Sequence, residues 1–261
     1  MATVVGNRRL STEYNGLSLQ APDLARLAAP GQFLMVKAGS GHDPLLRRPF
    51  SIFEVLRDAE GVSILSKRVG RSSGLLYDAR PGDTLRCLGP LGRPFTLVDP
   101  PSEAWMVAGG VGLAPFWTLA AALAARGTAT RLFYGARSGA ELFYLEHFAG
   151  LGTRLHLTTE DGSLGEAGRV TAPLERELAG RPANAPLTLY ACGPEPMLAA
   201  VSRLATRFAR PVEVSVERLM GCGMGGCYSC VVPLRDESGQ PHLVRSCVEG
   251  PVLPGDRIAW D

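Results

Sequence analysis

The run Ala104-Trp105-Met106-Val107-Ala108-Gly109-Gly110-Val111-Gly112-Leu113-Ala114-Pro115 decides the fold class. Five apolar residues read as a buried strand, the glycines as a tight turn, and Pro115 as the start of a helix ending near Arg126. No charge occurs from 104 to 125, a stretch of 22 residues, which is long enough to span a bilayer. Gly109, Gly110, Gly112 and Pro115 interrupt it, so a strand, a glycine turn and an amphipathic helix explain it without a membrane.

On the C-terminal side the same alternation continues. Strands are predicted at 130–134, 156–159 and 187–192, with a helix between the first two. Gly193-Pro194 opens a further helix over 195–208. Strands alternating with helices predict a Rossmann-like parallel α/β domain over 100–210. On the N-terminal side, residues 1–99 read as β. Candidate strands at 32–36, 50–56, 62–69 and 84–88 are separated by Pro30-Gly31, Pro81-Gly82, Gly89-Pro90 and Gly92. Short strands with Gly/Pro turns predict a barrel or a sandwich. Asp99-Pro100-Pro101-Ser102 reads as a linker, and Pro211 opens a third segment, 211–261, too small to hold itself together without a staple.

The chain has 261 residues, 27 Lys+Arg against 25 Asp+Glu, 46% hydrophobic and 20% charged residues. Ordinary globular usage excludes a disordered chain and a polyanion-binding tail. With a net charge of +2 and no basic stripe, no nucleic-acid partner is expected. The opening MATVVGNRRLSTEYNG has no apolar core of signal-peptide type, so a cytoplasmic location is expected.

Four of six cysteines, Cys222, Cys227, Cys230 and Cys247, follow the order C-x4-C-x2-C-x16-C. Without a signal peptide, clustered thiols point to a metal rather than to disulfides. Structural zinc commonly uses two short cysteine pairs. Three cysteines on one loop and a distant fourth is the order of plant-type [2Fe-2S] sites. The glycines of Gly221-Cys222-Gly223-Met224-Gly225-Gly226-Cys227 permit φ > 0 and let backbone N–H groups approach sulfides. A zinc-stapled, colourless module is the competing reading. Cys87 reads as structural, and the four histidines, His42, His147, His156 and His242, fit no triad or metal spacing.

Arg47-Arg48-Pro49-Phe50-Ser51-Ile52 presents a cation and a hydroxyl from one strand, a combination suited to a diphosphate and a flavin ring. In Leu65-Ser66-Lys67-Arg68-Val69-Gly70-Arg71-Ser72-Ser73, a strand ends in glycine and Ser72 or Ser73 is expected to cap a helix whose N-terminus favours an anion. Two anion sites on one β domain favour a dinucleotide. Gly109-Gly110-Val111-Gly112 and Cys192-Gly193-Pro194 lie at predicted strand ends, where open α/β sheets bind ligands.

The succession R-P-F-S, G-x-S-S, G-P-L-G, G-G-V-G-L-A-P, C-G-P resembles the ferredoxin–NAD(P) reductase superfamily over nearly the whole chain. The M-x-C-G-x-G-x-C-x-x-C loop narrows the resemblance to the electron-transfer subunits of NAD-dependent dihydroorotate dehydrogenases. The resemblance implies an antiparallel barrel holding FAD through Arg48, Pro49, Phe50, Ser51, Leu65, Ser66, Lys67, Ser72 and Ser73. It implies NAD at Gly109, Gly110, Gly112, Pro115, Cys192, Gly193 and Pro194, with Cys192 near the nicotinamide and flavin. It further implies a [2Fe-2S] cluster on Cys222, Cys227, Cys230 and Cys247, no catalytic acid–base pair, and a heterotetramer with an FMN-containing dihydroorotate dehydrogenase catalytic subunit. Phe50 departs from the more frequent Tyr, and Ser72-Ser73 from an expected Gly-Thr. FAD would then convert between the two-electron nicotinamide and the one-electron cluster. A reductase serving an oxygenase, a sulfur or hydrogen enzyme, or a bifurcating complex shares all these motifs.

Overall fold

The structure is a computed structural model that describes residues 1–39 and 41–260. Six strands make the N-terminal unit: β1 (Ala2–Arg9), β2 (Tyr14–Gln20), β3 (Phe33–Lys37), β4 (Arg48–Leu56), β5 (Gly61–Lys67) and β6 (Thr84–Leu91). They close as β1-β2-β5-β4-β3-β6 with antiparallel pairing, which removes the free edges an open sheet would leave. Of barrel and sandwich, the structure is the barrel. Its interior is filled by Val4, Leu17, Leu19, Leu34, Val36, Ile52, Val62 and Ile64.

β1 and β2 escaped prediction because their apolar alternation is brief, Ala2/Val4 and Leu17/Leu19, among polar residues. Asn15 is fully buried, and its Nδ2 donates to Asn7 Oδ1 at 2.8 Å. Asn7 in turn donates to the carbonyls of Tyr77 and Ala79 at 3.0 and 2.7 Å. These carbonyls lie at the end of the second of two helices, α1 (Pro22–Leu27) and α2 (Arg71–Asp78). Two polar residues that look like loop residues therefore tie β1 and β2 to that helix end, where backbone acceptors need partners.

The parallel sheet begins with β7 (Glu103–Gly109), followed by a 3₁₀ turn at Gly110–Leu113 and α3 (Phe116–Ala125). The chain then adds β8 (Thr130–Ala136), α4 (Leu145–Gly150), β9 (Arg154–Thr159), the short β10 (Glu166–Ala167) and α5 (Thr171–Ala179). It crosses to the other side of β7 for β11 (Leu187–Cys192), α6 (Glu195–Arg207) and β12 (Val212–Ser215). The hairpin β13 (Val231–Arg235) and β14 (Pro241–Arg245) stands apart, and β15 (Val252–Pro254) returns antiparallel to β12. The sheet order is β10-β9-β8-β7-β11-β12-β15. Both ends of the 211–261 segment thus lie in the sheet, because Val212, Val214 and Leu253 extend its apolar core. The expected boundary at 210/211 falls between α6 and β12, within this succession of sheet elements.

β7 and β11 are neighbours whose following elements diverge, which makes the gap between their carboxyl ends a topological switch point. There the two glycine motifs pack on each other. A Cβ at Gly112 would overlap the Cys192 carbonyl oxygen, and one at Gly109 would lie 2.8 Å from Pro194 Cδ. G112A is therefore expected to lower stability by about 1–3 kcal/mol, the usual cost of overpacking. Thermal denaturation of the purified protein checks this, and an unchanged melting temperature would contradict the described packing.

Candidate functional site

A cleft of ≈ 520 Å³ opens at the switch point. Gly109, Gly110 and Val111 form one wall, and Gly193, Pro194, Pro196 and Met197 another. Gly135 and Ala136 at the end of β8 and Thr171 at the start of α5 close the far side. Glycines here leave backbone exposed to the cleft, as a nucleotide diphosphate requires. Gly112 and Pro115 are buried behind this wall and shape the turn rather than face the cleft. Cys192 is also buried, in register with Ala108 of β7 and Ser215 of β12. Burial pushes its thiol well above the ordinary range, so it is a neutral small side chain beneath the cleft floor.

The barrel contributes Tyr14 and Lys67 to the same cleft. Lys67 Nζ sits 4.9 Å over the Tyr14 ring centroid and 3.6 Å from Glu13 Oε2. A hydrogen bond to Tyr14 raises its pKa. Arg137, which also lines the cleft, is paired with Glu141 and lies 3.8 Å from Glu13 Oε2.

The R-P-F-S stretch lies on β4, paired with β3 so that Phe33 faces Ser51, Leu34 faces Phe50 and Met35 faces Pro49. Arg48 is exposed, Pro49 and Ser51 are half-buried, and Phe50 packs against the barrel core, a packing role consistent with its missing hydroxyl. Leu65 is buried with Phe53 against the nucleotide domain. Ser66 Oγ and Arg47 Nε are buried with no hydrogen-bond partner. Orphaned polar atoms beside this strand are what a flavin dinucleotide would satisfy, so the residues present fit FAD. The helix after Gly70 differs from expectation in its cap. Gly70 holds the N-cap position, and Ser73, in the first turn, reaches back to accept the N–H groups of Val69 and Gly70 at 2.9 and 3.1 Å. Ser72, beside it, is half-buried.

The cysteine loop leaves the sheet after β12. Cys222 and Cys227 contact each other, as do Cys230 and Cys247. A tetrahedral iron carrying two bridging sulfides has two positions left for thiolates, so two thiol pairs suit a binuclear cluster, with an all-sulfur donor set. Cys227 is exposed, whereas Cys230 and Cys247 are buried with Met220 against Phe33 and Met35 of the barrel. Hydrogen bonding from Ser229, then from Cys222, draws the Cys227 thiol down to about 6. Burial pushes Cys247 up to about 12. Gly223 has φ +73°, and a Cβ there would lie 2.5 Å from Met35 Cγ, so only glycine lets the loop meet the barrel. Arg245 braces the loop, donating to Gly225 O at 3.2 Å and Glu249 Oε1 at 2.9 Å and lying 5.2 Å over the Tyr228 ring.

Comparison with known proteins agrees with this geometry. The family model for the iron–sulfur cluster binding domain of dihydroorotate dehydrogenase B matches residues 217–259, and that for the oxidoreductase NAD-binding domain matches 106–203. A dihydroorotate dehydrogenase B (NAD(+)) electron transfer subunit from Desulforamulus reducens is 39% identical over 94% of this chain and 92% of its own. The one from Bacillus caldolyticus is 39% identical over 98% and 96%. The chain belongs to this family of electron transfer subunits. Among solved structures, an NADH-dependent reduced ferredoxin-NADP oxidoreductase, studied for flavin-based electron bifurcation, superposes with a TM-score of 0.87. It is 27% identical and covers 100% of this chain and 90% of that one. The ferredoxin NADP+ reductase of Neisseria gonorrhoeae with bound FAD and NADP shares the fold, with a TM-score of 0.65 and 17% identity over 79% and 90%.

Several cleft residues of this family member carry no local motif. Tyr14, Arg169, Met197 and Glu217 come from four separate parts of the chain and meet only in the fold. Glu217 follows β12 and is exposed at the cleft wall. The rule that ligands sit at the carboxyl ends of parallel strands would have found it, had β12 been assigned to the sheet. C227S is expected to abolish iron binding and destabilise the segment from 212 onward while flavin is retained. Iron and acid-labile sulfide assays beside a flavin spectrum check this, and unchanged iron content would refute the ligand assignment.

Proposed function

We propose that the chain is the electron-transfer subunit of a heterotetrameric, cytoplasmic dihydroorotate dehydrogenase. Its electrons come from an FMN-containing catalytic chain and leave to NAD⁺, in pyrimidine biosynthesis. Cys222, Cys227, Cys230 and Cys247 hold a [2Fe-2S] cluster. Arg48, Pro49, Phe50, Ser51, Leu65, Ser66, Lys67, Ser72 and Ser73 hold FAD. Gly109, Gly110, Gly112, Pro115, Cys192, Gly193 and Pro194 form the NAD site. When bound, the cluster supplies one-electron transfer, the nicotinamide a hydride, and the flavin the exchange between the two.

One observation carries the reading. Cys230 and Cys247 are buried in the same apolar cluster as Phe33 and Met35, and those two residues pair in register with Ser51 and Pro49 of the flavin strand. Cluster ligands and flavin strand thus share one wall of packed side chains with no solvent layer. The opposite edge supports the partner assignment. Cys227 is exposed among Met224, 65% exposed, and Tyr228, 62%, with Leu219, 84%, leading into the loop. Apolar side chains this exposed around a cluster ligand suit a docked catalytic chain. Residues of the chain itself orient and exclude. Tyr14 and Lys67 close the cleft from the barrel side, and Cys192, buried and neutral, packs behind the Gly193-Pro194 wall. No helix among the described residues is long and apolar enough to cross a membrane.

The likeness to the bifurcating reductase favours a second reading, a reductase subunit feeding a different complex. Reconstitution separates the two. Dihydroorotate-dependent NADH formation should require this chain together with an FMN-containing catalytic chain, and formation without this chain would refute the proposal. For the flavin site, R48A is expected to weaken FAD retention by about 1.5–3 kcal/mol, the scale of a hydrogen bond to a charged group. Full flavin occupancy of R48A after extensive dilution would argue against that role.

A further inference from the structure

We infer that Ser229 sets the reduction potential of the cluster by donating its hydroxyl hydrogen to Cys227 Sγ, an inference that rests on the ligand assignment above. Ser229 Oγ lies 3.2 Å from Cys227 Sγ and 2.9 Å from the Gly221 backbone nitrogen. A hydroxyl has one hydrogen and two lone pairs. The Gly221 N–H can only donate, so it takes a lone pair of Ser229. A thiolate bound to iron has no hydrogen and can only accept. The remaining arrangement is O–H···S, with the hydroxyl held in place from behind by the Gly221 N–H.

The other non-cysteine donors to these sulfurs are backbone: Met224 N–H reaches Cys222 Sγ at 3.3 Å, and the N–H groups of Ser229 and Gly225 serve Cys227 and Cys247. Such bonds come with the loop whatever the side chains are. Among the described residues, Ser229 is the one side chain other than a cysteine that hydrogen-bonds a sulfur of the four. It is therefore the adjustable contact, encoded at a position that leaves the C-x4-C-x2-C spacing untouched.

The direction of its effect follows from charge. Reduction places one electron, and so one more negative charge, on the cluster and its thiolates, with no bond made or broken and no proton leaving Ser229. The electron comes from the flavin of the catalytic partner. A donor hydrogen aimed at a ligand sulfur lowers the energy of that added charge, and potentials of such clusters follow the hydrogen bonds to their sulfurs. Ser229 thus makes the cluster a better acceptor toward the partner and a weaker donor toward FAD. Both Ser229 and Cys227 lie on the exposed face, where electrons would enter.

The test is an EPR-monitored redox titration of purified holoprotein, after iron and sulfide have been counted. S229A and S229G remove the hydroxyl, and S229T keeps it. The hydroxyl-free variants are expected to shift the oxidised-to-reduced ratio at fixed potential by about three- to ten-fold toward oxidised, a ten-fold shift being ~59 mV for one electron. S229T is expected to titrate with the wild type. A fully loaded S229A at the wild-type potential overturns the inference, as does S229T falling as far as S229A. Failure of both hydroxyl-free variants to assemble a cluster also overturns it, because Ser229 would then build the site rather than tune it. Wild-type protein without iron and sulfide would instead sink the ligand assignment itself.

Discussion

The contact on which the rest depends is the burial of Cys230 and Cys247 against Phe33 and Met35 of the barrel. The tail after β12 is too short to build a core of its own, and its hairpin β13–β14 leaves Leu243 exposed. It is anchored by contributing a strand to the sheet at one end and by pressing its inner thiols onto the barrel. A short bridge completes the anchoring: Arg93 N–H donates to Gly250 O at 2.6 Å, and Val216 N–H to Pro251 O at 3.0 Å. One segment thus stitches barrel to sheet, and in doing so sets Cys230 and Cys247 beside β3, which pairs with Arg48–Leu56. Under the proposed ligand assignment, the staple that holds the tail in place is also the path for electrons.

The two halves of the thiol set live in different surroundings. Cys227 faces water and a hydroxyl donor, which favours the thiolate. Cys247 is enclosed by apolar side chains, which disfavours it until a metal compensates the charge. Under the proposed ligand assignment, the inner pair is the half of the site shielded from water. The outer pair stays at the surface, where a partner's cofactor can approach.

Much of this was legible in the sequence, and the reasons are physical. β7 past Glu103 and all of β11 are buried on both faces and uncharged, which marks them directly, and β11 spans the residues expected. The cysteine spacing is a covalent requirement of the cluster and survives any context. What was illegible depended on contacts distant in sequence. Asn7 and Asn15 are strand residues because they satisfy carbonyls of a helix some 60 to 70 residues away. β12 reads as the start of a new segment until its pairing with β11 is seen. Ser73 caps by reaching backward, which the order Gly70-Arg71-Ser72-Ser73 does not announce. Glu217 and Tyr14 enter the cleft only because the barrel and the sheet meet there.

The central claim is that nicotinamide, flavin and cluster form one continuous electron path inside this single chain. Anaerobic addition of NADH to the purified holoprotein, followed by rapid freezing and EPR, tests it most directly. The account predicts loss of the oxidised flavin absorbance together with a spin-half iron–sulfur signal approaching one per chain, without any partner present. Flavin bleaching with no iron–sulfur signal, in protein shown to carry two irons and two sulfides, would contradict it.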